Sequence, residues 1–188
     1  PLRSSAASDV YKRQLEKLGH EIYGNDSLIG GELSNLDNKK IKFYDVDCCD
    51  LDRMTEITKN IDIIYHCAAT AHEGLSVFSP HIITKNIYQA SVTTITAAIK
   101  NKVKRFIYCS SMARYGNQKS PFLEEMKPEP VDPYGIAKVA GEETLKVLAN
   151  LNNMEWNIAV PHNIIGPYQK YDDPFRNVLS IFINRNLQ

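Results

Sequence analysis

Short apolar, β-branched runs alternate along this chain with stretches whose apolar residues recur at helical spacing. Five runs predict strands: His20–Asp26, Ile41–Asp47, Ile61–Ala68, Val103–Ser110 and Glu155–Val160. Each is bounded by polar or turn-forming residues. Three stretches predict helices, at Leu51–Lys59, Ile82–Lys100 and Tyr134–Leu151. The middle one has a β-branched centre, Val92 to Ile95, which weakens its helical signal. In the last, Ile136, Val139, Ala140, Val147, Leu148 and Leu151 fall near a helical period. Such alternation predicts an α/β fold, a parallel sheet covered on both faces. Ile61–Ala68 is nearly continuous in apolar character, as a central strand requires. Binding residues in such sheets lie at the carboxyl ends of the strands. Asp26, Asp47, Ala68–Ala69 and Ser110–Ser111 all stand there.

Composition narrows the class. A chain of 188 residues suits one domain with a sizeable core. Its 22 basic residues balance 22 acidic ones, so charge gives no reason to expect nucleic acid or an acidic membrane as partner. Cys48, Cys49, Cys67 and Cys109 have no C-x-x-C spacing and predict buried thiols in a reducing compartment. The histidines have no ligand spacing, so no metal site is expected. No apolar run is long enough to span a bilayer, and the given N-terminus, basic but without an apolar h-region, is not expected to act as a secretory signal. A cytoplasmic location is the expectation.

The candidate chemistry lies in Ser111, Tyr134 and Lys138. A hydroxyl at a strand end plus a Tyr–Lys pair at a helix start is a proton-transfer device. It suits an alcohol that loses its proton while its carbon loses a hydride, which points to a nicotinamide cofactor. Tyr-x-x-x-Lys occurs twice, at Tyr115–Lys119 and Tyr134–Lys138. Context separates the two. Tyr115 is followed by Gly116–Asn117 and then Pro121, a stretch unsuited to a helix. Tyr134 follows Asp132–Pro133 and opens a proline-free stretch. Residues four apart share a helix face, so Lys138 can sit beside the Tyr134 ring. Lys119–Pro133, with four prolines and four acidic residues, predicts an ordered loop from the Ser111 strand to the Tyr134 helix. A last amphipathic segment spans Phe175–Leu187.

Several motifs occur in order: Gly19-His20-Glu21…Asp26, Asp45-Val46-Asp47, His66-Cys67-Ala68-Ala69, Ser110-Ser111…Tyr115-Gly116, Tyr134…Lys138 and Asn163…Gly166-Pro167. With these the chain resembles the extended short-chain dehydrogenase/reductase family, and within it the NAD-dependent nucleotide-sugar epimerases and dehydratases. The resemblance implies a Rossmann-type doubly wound sheet that binds NAD, then a smaller sugar-nucleotide domain. It implies that Asp26 accepts hydrogen bonds from the adenosine ribose; a turn aspartate at a strand end is the alternative. A carboxylate there favours NAD over NADP. Asp47 and Cys48 would line the adenine, and Cys67, Ala68 and Ala69 the pyrophosphate and nicotinamide side. Pro161 falls among the cofactor-binding positions. Lys138 would hold the nicotinamide ribose. Tyr134, whose ordinary pKa is about 10, would be drawn toward the phenolate by the ammonium and by oxidised nicotinamide. It would take the proton of a sugar hydroxyl, and Ser111 would hydrogen-bond the same oxygen. Asn163 would contact substrate, unless it forms the turn before Gly166–Pro167. The resemblance also implies a homodimer built through two helices per subunit.

Two departures refine the expectation. Dehydratases of the family usually carry Thr-Asp-Glu where this chain has Ser111-Met112-Ala113, which tilts the reading toward 4-epimerase chemistry; the alternatives are an NAD(P)-dependent reductase or dehydratase of the same extended family, or a non-catalytic dinucleotide-fold fragment. The family also opens with a first strand and a G-x-x-G-x-x-G turn, whose glycines let a helix N-terminus approach the pyrophosphate. Counted back from Gly19, those positions hold Leu2, Ser5 and Ser8, and Gly30–Gly31 lies too late to substitute. Residues 1–14 are therefore expected to be a non-native joint, with the first strand and its glycine turn missing. Residues 15–188 are expected to be an incomplete NAD-binding domain that runs into the start of the substrate domain. The 188-residue polypeptide is expected to bind NAD poorly and to be inactive. Saturable NAD binding in a fluorescence titration would contradict this.

Overall fold

The computed structural model describes residues 14–29, 41–71, 73–164, 182–183 and 185–186. Positions 1–13 of the expected joint lie outside them, with Leu2, Ser5 and Ser8. So do Gly30, Gly31 and most of Phe175–Leu187. The described strands are β1 (Tyr23–Asp26), β2 (Lys42–Asp45), β3 (Ile63–His66), β4 (Arg105–Cys109) and β5 (Glu155–Ala159). Each predicted strand is present, trimmed by up to three residues at an end. The trimmed residues are the ones that leave the ladder for a loop. All pairings are parallel: Tyr23 lies opposite Lys42, Ile63 opposite Arg105, and Arg105 opposite Glu155. Among the described residues the strands pair as two sheets, β1–β2 and β3–β4–β5, where the pattern predicts one.

Helices connect the strands as expected. α1 (Leu51–Ile57) starts where the Asp50 carboxylate accepts the Arg53 N–H at 3.0 Å. A short turn of helix, α2 (Glu73–Ser76), follows β3. Then come α3 (Pro80–Ile83), a π-helical stretch at Thr84–Gln89, and α4 (Ala90–Lys100), continuous with one another. The predicted helix Ile82–Lys100 is thus present but not uniformly α. Its hydroxyl-bearing residues fit because Ser91, Thr94 and Thr96 donate back to the carbonyls of Ile87, Ala90 and Val92. A 3₁₀ turn, Met112–Tyr115, follows β4. α5 (Pro133–Leu151) begins at Asp132, whose carboxylate accepts the Gly135 N–H at 2.9 Å. Pro133 stands at its first turn, where its missing N–H costs nothing.

The chain forms two compact units. The described residues through Asp47, with those from Asn163 onward, make one, and Cys48–His162 make the other. In the second, α4 and α5 pack on the β3–β4–β5 sheet. Ile95, Ala98, Val103, Phe106, Tyr108, Leu145, Ala149 and Met154 form the core there. Gly141 on α5 is required by the approach of β4: a Cβ there would lie 2.4 Å from the Tyr108 hydroxyl. The buried face of α5 differs from the apolar stripe in its sequence. Ile136, Val147 and Leu151 are exposed, while Tyr134, Ala137, Lys138, Gly141, Glu142, Leu145 and Ala149 are buried. These buried positions follow helical spacing too, but two are charged, so a hydrophobic pattern misses them.

Candidate active site

Tyr134, at the second position of α5, is buried in a cluster with Ile83, Ile87 and Ala137, against which Ala69, Tyr88 and Ala113 pack. The residues after β3, after β4 and at the start of α5 therefore meet around its ring. Gly135 permits the approach, because a Cβ there would lie 2.8 Å from the Ala113 carbonyl oxygen. Lys138, one turn on, is only 3% exposed. Its Nζ lies 6.0 Å from the Tyr134 ring centroid and 5.3 Å from that of Tyr108. It donates to the Cys109 carbonyl oxygen at 2.7 Å. Burial is the main cause that lowers Lys138 to about 8, against partial opposition from the two cysteines and Glu142. The rival match, Tyr115, carries no such pair. Its hydroxyl donates to the Leu123 carbonyl oxygen at 3.1 Å, its ring stacks on Phe122, and Lys119 is exposed.

Ser111 follows β4 in extended backbone and caps the 3₁₀ turn: its Oγ accepts the Ala113 N–H at 3.2 Å. Gly116 closes that turn at φ +53°, and a Cβ there would collide with the Glu129 carbonyl oxygen. Below the turn lies a buried polar group that sequence reading missed. Ser110 donates to Glu142 Oε1, and Arg114 Nη2 lies 3.2 Å from Glu142 Oε2. Arg114 Nη1 also donates to the Tyr115 hydroxyl at 3.2 Å. The trace of it in the sequence is Arg114 itself, a charged residue shortly after the apolar β4 run. On the same face of the sheet, beside Tyr108, His66 Nε2 lies 3.1 Å from Ser91 Oγ. Ser91 gives its one hydrogen to Ile87 O, so the imidazole is the donor to it. Burial, with Lys138 nearby, drives His66 down to about 3, so it stays neutral.

The remaining candidate residues divide by unit. Cys67, Ala68 and Ala69 follow β3, and Pro161 follows β5, all at carboxyl ends of strands in the Cys48–His162 unit. Cys48 stands in the turn that leads to α1. Asp26, Asp47 and Asn163 belong to the other unit. Asp26 ends β1, and its Oδ1 accepts the Leu28 N–H at 2.8 Å, so a turn role is present at that residue. Asn163 stands at φ +48°, a left-handed turn position. The structure adds Asn86, inside the π-helical stretch, whose Nδ2 donates to Thr70 Oγ1 at 3.0 Å beside the β3 end. π-helical turns are frequent at functional sites. The only trace in the sequence was the atypical composition of that helix. Among the described residues no group of metal-ligating side chains converges.

A family model for the NAD dependent epimerase/dehydratase family matches residues 10–188. The chain belongs to that family. A UDP-glucose 4-epimerase of Mycolicibacterium smegmatis is 30% identical over 159 residues, 80% of this chain and 50% of that protein. The crystal structure of a UDP-glucose 4-epimerase from Thermotoga maritima, with UDP-glucose, superposes at a TM-score of 0.90 and 29% identity. It covers 97% of this chain and 60% of its own. A UDP-N-acetylglucosamine 4-epimerase from Methanobrevibacter ruminantium gives a TM-score of 0.84 at 29% identity, over 89% of this chain and 55% of its own. The chain spans half or less of the curated relatives it matches first. The epimerase/dehydratase family thus accounts for the Rossmann-type α/β architecture.

Proposed function

We propose that this chain carries the NAD-binding and proton-transfer part of a nucleotide-sugar 4-epimerase, which oxidises its sugar to a 4-keto intermediate and re-reduces it on the other face. The observation that carries the reading is the burial of Lys138 one turn from Tyr134, with its ammonium anchored on the Cys109 carbonyl. A surface lysine has no reason to accept that desolvation.

The donor set near Lys138 fits NAD. An ammonium has three donors, and one is spent on Cys109 O, which leaves donors for ribose hydroxyls. Ala68 and Ala69 keep the end of β3 small. In this reading Cys67, Ala68, Ala69, Pro161 and Lys138 hold the nicotinamide side, and Asp26, Asp47 and Cys48 the adenosine side. Bound NAD would supply the hydride acceptor. Tyr134 takes the proton of the sugar hydroxyl and returns it in the reverse half-reaction. Ser111 hydrogen-bonds the same oxygen, and Asn163 contacts substrate. Met112 and Ala113 bear no group that exchanges protons, which disfavours the dehydratase alternative.

Residues 15–188 would supply the cofactor domain and the beginning of the substrate domain. A homodimer would use α5 and the continuous helix that runs from α3 into α4: Ile82, Ile136 and Val147 are exposed there, beside a groove lined by Tyr88, Ile136 and Ala140. Four thiols suit a cytoplasmic setting, and no described helix is long and apolar enough to cross a membrane.

The test is interconversion of UDP-glucose and UDP-galactose by the complete gene product with NAD. Turnover that Tyr134→Phe lowers about 10²–10⁴-fold supports the proposal. Equal turnover in the variant refutes the assigned role. Elimination of water in place of epimerisation refutes the reaction.

A further inference from the structure

Cys67 and Cys109 are the first residues beyond the last paired position of β3 and the final residue of β4. His66 lies opposite Tyr108, and one further step of that register sets Cys67 opposite Cys109. Neighbouring strands run about 4.8 Å apart, inside the Cα separation that a disulfide spans. Both side chains leave the sheet on the same face, and the two Sγ atoms are 3.2 Å apart. All four cysteines are thiols here. Cys67 is half-buried and Cys109 buried, so a small reagent has a route through Cys67.

From this geometry we propose that Cys67 and Cys109 are a redox-active dithiol, which a hydroperoxide closes to an intramolecular disulfide. One sulfur, as thiolate, attacks the peroxide and breaks the O–O bond, giving a sulfenic acid and an alcohol or water. The second thiolate attacks that sulfur, forms the S–S bond and expels hydroxide, which leaves as water. In sum two thiols and one hydroperoxide give one disulfide, one alcohol and one water. The sulfurs lose two electrons, and the peroxide gains them. Either sulfur can be the first nucleophile, since either can donate in the hydrogen bond they share. That bond favours a thiolate on one sulfur with the proton held on the other, and the Lys138 ammonium adds to this. The closed bond would tie the segment that leads into Ala68–Ala69 to the one that leads into Ser110–Ser111.

The test starts from the wild-type protein. The 188-residue protein is treated with hydrogen peroxide, alkylated, digested without reductant and mapped by mass spectrometry. The expected result is a Cys67–Cys109 cross-linked peptide, a fall in thiol count from four to two, and recovery of four on addition of dithiothreitol. The Cys48→Ser, Cys49→Ser double variant should form the same peptide, and Cys67→Ser should not. Cross-links confined to Cys48 and Cys49, oxidation of Cys67 and Cys109 to separate sulfinic acids, or untouched thiols at both would each overturn the proposal. None of these readouts depends on bound NAD or on turnover, so the result stands apart from the 4-epimerase reading.

Discussion

Lys138 is a cation held at 3% exposure, and its behaviour with pH follows. Its ordinary value of 10.5 falls to about 8 in the fold. Between those values the unfolded chain still holds the proton, whereas the folded chain has released it. Stability therefore rises with pH across that window, and the lysine's cost to folding is full below pH 8. Lys138→Met carries no proton at any pH. Its urea midpoint relative to wild type should be highest at pH 7 and should fall back steadily toward pH 10.5. A gap constant over that range would mean that Lys138 keeps its charge. Arg114 offers a second residue-scale test. Arg114→Val leaves the Glu142 carboxylate in the interior without its counter-charge. The loss should be about 3 kcal/mol by urea denaturation at neutral pH. The placement of Tyr134 and Lys138 together was legible because a rigid spacing sets both on one helix. Cys67–Cys109 and Arg114–Glu142 were not, because their members meet only through strand register and helix packing. Nothing local in sequence encodes that meeting.

Elements were easier to find than their exact faces. All five strands and the three principal helices follow from periodicity. Trimmed ends and the π-helical stretch reflect pairing and packing that periodicity does not contain. The buried side of α5 is set by small residues that let β4 and the 3₁₀ turn come close. Gly141→Ala should therefore cost about 1–3 kcal/mol, because the added methyl meets the Tyr108 hydroxyl in a packed core. Thermal denaturation followed by circular dichroism would check this. Asp132→Ala should cost about 1 kcal/mol through loss of the cap at the start of α5. An unchanged midpoint would refute the Tyr108 clash for Gly141→Ala and the contribution of the cap for Asp132→Ala.

Across the molecule, the β3–β4–β5 sheet with α4 and α5 holds the larger core cluster among the described residues. Leu145, fully buried there, should cost about 2–5 kcal/mol when replaced by alanine. Exposed Ile136 is a different case, since its substitution should barely alter folding. If α5 forms the proposed subunit contact, Ile136→Glu should turn a dimer into a monomer in sedimentation velocity. Parallel α/β architecture was legible from the alternation of strand and helix patterns, and family membership from motifs ordered between Gly19 and Pro167. The pairing of described strands as two sheets was not, since hydrophobic pattern states which segments are strands and not which neighbours they take.

The π-helical stretch at Thr84–Gln89 makes the chain sensitive to counting. Each residue turns an α-helix by about 100°. A wider turn within a continuous helix therefore sets the phase of everything before it relative to everything after it. Ile83 and Ile87 reach the Tyr134 cluster, while Ile95 and Ala98 reach the sheet. A single codon removed between Thr84 and Gln89 would let the stretch relax to α-helix with Ile83 still facing the tyrosine, because a π turn takes up about one residue more than an α turn for the same rotation. The same deletion within Ala90–Lys100, where no turn holds a residue to spare, would swing Ile83 by about a quarter turn away from the tyrosine.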